Sequence, residues 1–303
     1  MQRQIELIGA AWGLGGADPG CAQAPEALIP LALERFQRCG ASVIQGPMLH
    51  PLPTERRKQV AVSRLCSALA TAVADSMRRG CLPCVIGGDH SCAGGTWTGV
   101  ARAMHGPLGL VWVDAHMDSH TPGTSHTGRL HGMPLAWLLG QHDDLLYGLA
   151  AGVVEPAQVA LIGVRSFEPE EQERLDRLGV RVFHIEEVRA RGLDGVFDEA
   201  IAIATRGTAG FGISVDLDAV TPEEAPGVGT PVPEGLQGAQ LTQALRRIGR
   251  RADLVALELV EYLPRLDPDG RSARVAVDIL AASLCGPSDE AQVLADAVQR
   301  NDV

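Results

Sequence analysis

No run of about 18 uninterrupted apolar residues occurs in the 303-residue sequence, so no segment reads as a membrane-spanning helix. The opening residues, Met1-Gln-Arg-Gln-Ile-Glu6, carry neither a long apolar core nor a cleavage pattern, and no signal peptide is expected. Lysine and arginine never cluster beyond short pairs such as Arg56-Arg57 and Arg250-Arg251, and the net charge is −11. That balance argues against a nucleic-acid or anionic-membrane partner. There is no Pro/Ser-rich linker and no internal repeat, nor any Walker A, Gly-x-Ser-x-Gly or His-Glu-x-x-His motif. The expectation is a cytoplasmic, single-domain protein (residues 1–303) that handles a small molecule. Its seven cysteines are odd in number and flanked mostly by apolar residues. Cys81-Leu82-Pro83-Cys84 has no second CxxC to complete a zinc site, so reduced core thiols are expected.

What the chain does hold is a 46% hydrophobic composition, ample for a core. Strand-type apolar runs recur at Ile5–Gly9, Ser42–Gln45, Leu82–Ile86, Leu108–Val113, Val159–Val164, Val180–His184, Gly210–Val215 and Leu254–Val260. Segments with helical spacing lie between most of them: Pro25–Arg38, Arg56–Arg79, Pro169–Leu178, Leu193–Arg206, Gln240–Arg250 and Ala273–Leu284, with a last helix expected at Asp289–Arg300. This alternation predicts an α/β fold with a mostly parallel, doubly wound sheet. Uninterrupted apolar strands suit a sheet covered on both faces, and ligands of such sheets bind beyond the strands' carboxyl ends.

Acids and histidines collect at those ends. Asp114-Ala115-His116-Met117-Asp118 follows one strand, Ser214-Val215-Asp216-Leu217-Asp218 follows another, and Asp89-His90 closes a third. In an extended chain residues two apart face the same side, so Asp114, His116 and Asp118 can meet at one point. One Asp or His after a strand is more often a helix cap or a solvated loop residue. Six together, His90, Asp114, His116, Asp118, Asp216 and Asp218, are enough ligands for two cations. Hard oxygens with one imidazole per ion favour Mn²⁺ or a similar ion over structural zinc. Two such ions supply hydroxide near neutral pH, a hydrolase's nucleophile. His184 is expected to be structural, and His50, His105 and His142 to lie on the surface. Gly13-Leu14-Gly15-Gly16-Ala17-Asp18 approaches the dinucleotide fingerprint, but Asp18 stands where its third glycine belongs and would repel a pyrophosphate.

Gly87-Gly88-Asp89-His90-Ser91 and the two longer motifs, in this order and at about these distances, resemble the three metal motifs of the arginase (ureohydrolase) family. Gly229-Thr230-Pro231 is also similar to the family's loop. The resemblance implies a three-layer α/β/α fold and a binuclear-manganese hydrolase of a guanidinium group, forming homotrimers or homohexamers. It implies one ion on His90, Asp114, Asp118 and Asp216 and the other on His116, Asp114, Asp216 and Asp218. His131 would be the proton-shuttling imidazole, and Glu261 the carboxylate that pairs with the guanidinium. Substrate contacts would come from His120, Thr127, Arg129, Glu168 and Glu171. His120 replaces the family's Asn, Thr127 a serine and Arg129 an Asn; Glu168 replaces an Asp, and Thr221-Pro222 an Asp-Pro. The loop from Thr121 to Leu130 resembles the arginase branch, which favours L-arginine as substrate. The alternatives are agmatine or a guanidino acid, or a metal-loaded regulatory protein without turnover.

Overall fold

The computed structural model describes residues 3–52, 57–141, 146, 148–149, 151–249 and 251–285. Strands and helices follow one another along the chain as β1 (Ile5–Ala10), α1 (Ala24–Arg38), β2 (Val43–Leu49), α2 (Lys58–Arg78), β3 (Leu82–Gly87), α3 (Ala93–Ala103), β4 (Leu108–Val113), α4 (Pro134–Leu138) and β5 (Val159–Val164). Then come α5 (Pro169–Leu178), β6 (Arg181–His184), α6 (Ile185–Arg191), α7 (Leu193–Ala204), β7 (Gly210–Asp216), α8 (Gly238–Ile248), β8 (Leu254–Val260) and α9 (Arg271–Cys285). All eight expected strands form. The expected helix at Asp289–Arg300, and His142, lie outside the described residues.

The strands make one parallel sheet in the order β2-β1-β3-β8-β7-β4-β5-β6. Apolar side chains on one face join α1, α7, α8 and α9 in one core, and those on the other join α2, α3 and α4 in a second. The result is the expected three-layer α/β/α fold. The six central strands are buried at every position, because helices cover both faces. The edge strand β2 is only partly covered and carries Pro47, which blunts a free edge. Helix α2 is long and apolar enough to cross a membrane by composition, yet it is a core helix here, seating Val62, Cys66, Leu69 and Val73 in the second core.

Three helices lie where sequence spacing gave no helix: α3, α4 and α6. Ile185–Arg191 and Pro134–Leu138 are too short to show a period. All seven cysteines are buried and none is in a disulfide among the described residues, Cys81 and Cys84 included.

Candidate metal centre

The site sits beyond the carboxyl ends of β3, β8, β7 and β4, four adjacent strands at the middle of the sheet. Three of the four, β3, β7 and β4, stop on a polar turn that caps itself. Asp89 accepts from the Ser91 N–H and Asp216 from the Asp218 N–H, while Asp114 accepts from the His116 N–H at 2.7 Å. These Asx-type bonds end the strand and aim the next side chain inward. Asp89, set aside in the sequence, is such a capping residue: its second oxygen accepts from Gly15 N–H at 2.9 Å. The glycine-rich loop therefore serves as a wall of this site, and Gly15 C=O accepts from the His131 N–H.

His90 is fully buried. Its Nδ1 lies 3.3 Å from Asp114, 3.0 Å from Asp118 and 3.2 Å from Asp216, yet none of these oxygens is placed for a hydrogen bond to it. His116 Nδ1 lies 3.2 Å from Asp218 and 3.5 Å from Asp114. Two potential ion sites result, His90/Asp114/Asp216 and Asp114/His116/Asp218, sharing Asp114. Two of the three non-glycine residues at positive φ among the described residues, Asp118 (47°) and Glu261 (65°), are here, where strain is held for placement.

Electrostatically the cluster is unbalanced. Burial, with the charges of Asp218 and Asp114, pushes Asp216 well above the carboxylate range. Burial and Asp114 push Asp118 up to about 6. Asp114 is held low despite burial, because His116 and His90 flank it. Burial opposes charge on His90 and His116 too, but the surrounding carboxylates outweigh it and hold both well above the imidazole range. Buried like charges are costly unless a cation joins them, and an oxygen-rich set with one imidazole per group suits a hard divalent ion. The residues fit two such ions.

Beside the cluster His131 Nδ1 meets Glu261 Oε1 at 2.9 Å. That same oxygen accepts from the His90 N–H at 2.9 Å, and the Cys21 thiol donates to Oε2 at 3.5 Å. Here the structure narrows the expected pairing: with both lone pairs of Oε1 engaged, Glu261 has one oxygen rather than two open to a guanidinium. Only Oε2 can exchange a weak thiol donor for one substrate N–H. His120 departs from expectation. Its Nδ1 meets Thr124 at 3.1 Å and its Nε2 meets Glu168 at 3.0 Å, so neither nitrogen is free for a substrate carboxylate. Glu171 accepts from the N–H groups of Ser119 and Glu168 and closes the capping box of α5. Burial raises Glu171 to about 8, leaving a weak partner for an ammonium. Thr127 lines the mouth of the cavity, about 120 Å³, whereas exposed Arg129 lies outside its lining. A larger cleft of about 520 Å³ beside Arg189 and Glu234 has no histidine or cysteine in its lining. His184 ends β6 away from the cluster against Phe167, and His50 and His105 are exposed, as expected.

Further contributors surround the cluster, of which only Thr230, in the Gly229-Thr230-Pro231 loop, stood out in the sequence. Trp112 Nε1 donates to Asp114 at 2.9 Å, Thr230 donates to Asp218 at 3.0 Å, and His126 faces the cavity. Arg165 donates to the carbonyls of Asp218, Ala219 and Val232, fastening the loop after β7.

Residues 3–286 match the Arginase family. The chain belongs to that family. It is 35% identical over 292 residues to the arginase of Brevibacillus brevis, covering 93% of this chain and 98% of the relative. The solved arginase from Bacillus caldovelox is similar at 35% identity and a TM-score of 0.88, with 95% and 99% of the two chains covered. Proclavaminate amidino hydrolase from Streptomyces clavuligerus is similar at 25% identity and a TM-score of 0.76, covering 94% and 91%. Family membership together with the acid and histidine groups makes the chain a metal-dependent ureohydrolase.

Proposed function

We propose that the protein hydrolyses L-arginine to L-ornithine and urea with two Mn²⁺ ions. One would be held by His90, Asp114, Asp118 and Asp216, the other by His116, Asp114, Asp216 and Asp218. The observation that carries this reading is the pair of ligand groups sharing Asp114. Two divalent ions held there would lower the pKa of water from roughly 15.7 toward neutrality and so would supply a hydroxide nucleophile.

The chain's own groups do the rest. Glu261 takes one guanidinium N–H at Oε2 and, through Oε1, holds His131 by Nδ1. That leaves Nε2 of His131 to pass a proton to the departing amine, which is a poor leaving group as an anion. At the mouth, half-exposed Glu168 faces the substrate ammonium and Thr127 its carboxylate. The homotrimer or homohexamer and the cytoplasmic location belong to the same proposal, supported by the family resemblance.

Urea release from L-arginine, agmatine and 4-guanidinobutyrate, with added Mn²⁺, tests the substrate. L-Arginine is expected to have the highest kcat/KM. The engaged His120 favours the rival, a guanidine without the α-carboxylate. A preference for agmatine by about tenfold or more, roughly 1.4 kcal/mol, would establish that rival and leave the metal chemistry standing.

A further inference from the structure

Glu258 is a carboxylate in the middle of the sheet with no part in the chemistry above. It is fully buried on β8, where an apolar side chain would cost nothing in desolvation. Register explains what it meets. Trp112 of β4 pairs with Ser214 of β7, Ser214 pairs with Glu258, and Glu258 pairs with Val85 of β3. Asp114 and Asp216 come two residues after Trp112 and Ser214, on the same side of the sheet. Glu258 therefore lies in the row directly beneath the carboxylates of the metal centre.

Its hydrogen bonds run toward that centre. Oε1 accepts from Thr96 Oγ1 and, at 3.4 Å, from the Cys92 thiol. Oε2 accepts from Ser214 Oγ at 2.7 Å, and the same Oγ meets His90 Nε2 at 3.0 Å. A serine hydroxyl has one hydrogen. Ser214 spends it on Glu258, so toward His90 it can only accept, and the His90 hydrogen must sit on Nε2. Trp112, stacked on the His90 ring at 4.2 Å and 11°, fixes the ring plane. With a hydrogen on Nε2 and the plane fixed, Nδ1 is the nitrogen that faces the space shared by Asp114, Asp118 and Asp216, where an ion would displace any hydrogen from it.

We infer that Glu258 is a positioning residue for the metal centre, acting through Ser214 to keep the His90 hydrogen on Nε2 and to present Nδ1 to a divalent ion. The inference rests on the two-cation reading. An outer carboxylate behind a ligating imidazole both selects its tautomer and raises its basicity, and losing it commonly costs 10- to 100-fold in metal affinity. Without Glu258 the Ser214 hydrogen is free to turn to Nε2, which would leave the imidazole hydrogen on Nδ1.

The test is calorimetric titration of metal-stripped protein with Mn²⁺. Glu258→Met and Ser214→Ala are each expected to weaken one of the two binding steps by about 10- to 100-fold and to leave the other unchanged. Glu258→Gln, which keeps an acceptor for Ser214, is expected to stay nearer the parent. In a His90→Ala background the same substitutions should cause no further loss, since coupled residues are not additive. Replacing a buried carboxylate by Met is often neutral or favourable to folding, and a thermal melt of each variant checks that. Parent-like binding by both Glu258→Met and Ser214→Ala, within about threefold, overturns the inference. So does an equal loss with His90 absent, which would mean Glu258 acts by packing. If His90→Ala itself leaves both steps unchanged, the two-cation reading falls, and the inference falls with it.

Discussion

His131 and Glu261 illustrate how a buried pair sets its own working range. Burial alone would lower His131, but Glu261 outweighs it and raises the imidazole to about 9; the same contact holds Glu261 below the usual range in spite of its burial. A raised imidazole contributes stability fully below its unfolded pKa of about 6.5 and loses it as pH rises through about 9. Metal-stripped protein should therefore lose melting temperature between about pH 7 and pH 10. His131→Asn should flatten that slope. In the loaded enzyme the same substitution is expected to lower turnover by about 10²- to 10⁴-fold with both ions retained, as elemental analysis would record. Loss of metal instead would contradict a role confined to proton transfer.

The metal-type residues were legible in the sequence because period two does the work of structure at a strand end: Asp114 with Asp118, and Asp216 with Asp218, stand out from their apolar approaches. The same two-residue step backward reaches Trp112 and Ser214, but a tryptophan and a serine in an apolar run carry no signal by themselves. Glu258 needs the register of three strands before it means anything. The resemblance pointed to His120, Glu168 and Glu171 as substrate contacts, but their engagement with one another and with backbone N–H groups was not legible, since that depends on how the loop after β4 meets the start of α5.

Among the elements, strands read more clearly than helices. Helix α3 shows why. Every residue from Ala93 to Val100 is buried, so there is no polar face to reveal a period, and glycine is a weak helix former. The glycines answer to packing. A Cβ at Gly95 would lie 2.7 Å from Cys66 O, and one at Gly99 would lie 2.6 Å from Ala70 O, both on α2. Backbone atoms of a neighbouring helix cannot turn aside as a side chain can. Gly99→Ala is accordingly expected to force α2 and α3 apart and to cost about 1–3 kcal/mol, offsetting the propensity gained. Chemical denaturation of the metal-free protein measures it, and an unchanged or raised midpoint would show that the interface can relax.

At the scale of the whole molecule the site is a burden the fold carries until cations arrive. Asp216, raised by burial and by Asp218 and Asp114, is a carboxylate whose charged form is disfavoured in the folded state, so at neutral pH it subtracts from stability. Asp216→Asn is predicted to raise the melting temperature of the stripped protein. Mn²⁺ should raise that of the parent, by about 2.7 kcal/mol of stabilisation at a hundred times the dissociation constant, and should do so far less in the variant. Thermal melts with and without Mn²⁺ measure both. A variant that melts lower when stripped would mean the acid serves packing first.

The sheet order also has a consequence for how the chain is made. Strand β8 lies between β3 and β7, so the segment that ends at β3 reaches the β4 side of the sheet only through strands that come more than 100 residues later. During synthesis the His90 turn waits, apolar strand edges open, until residue 260 has emerged and slotted in. Non-local parallel pairing of this kind is slow and prone to aggregation while incomplete. A cation offered to the growing chain finds the Asp114/His116/Asp218 group, carried by the paired ends of β4 and β7, but not the His90 group, whose assembly follows completion of the sheet.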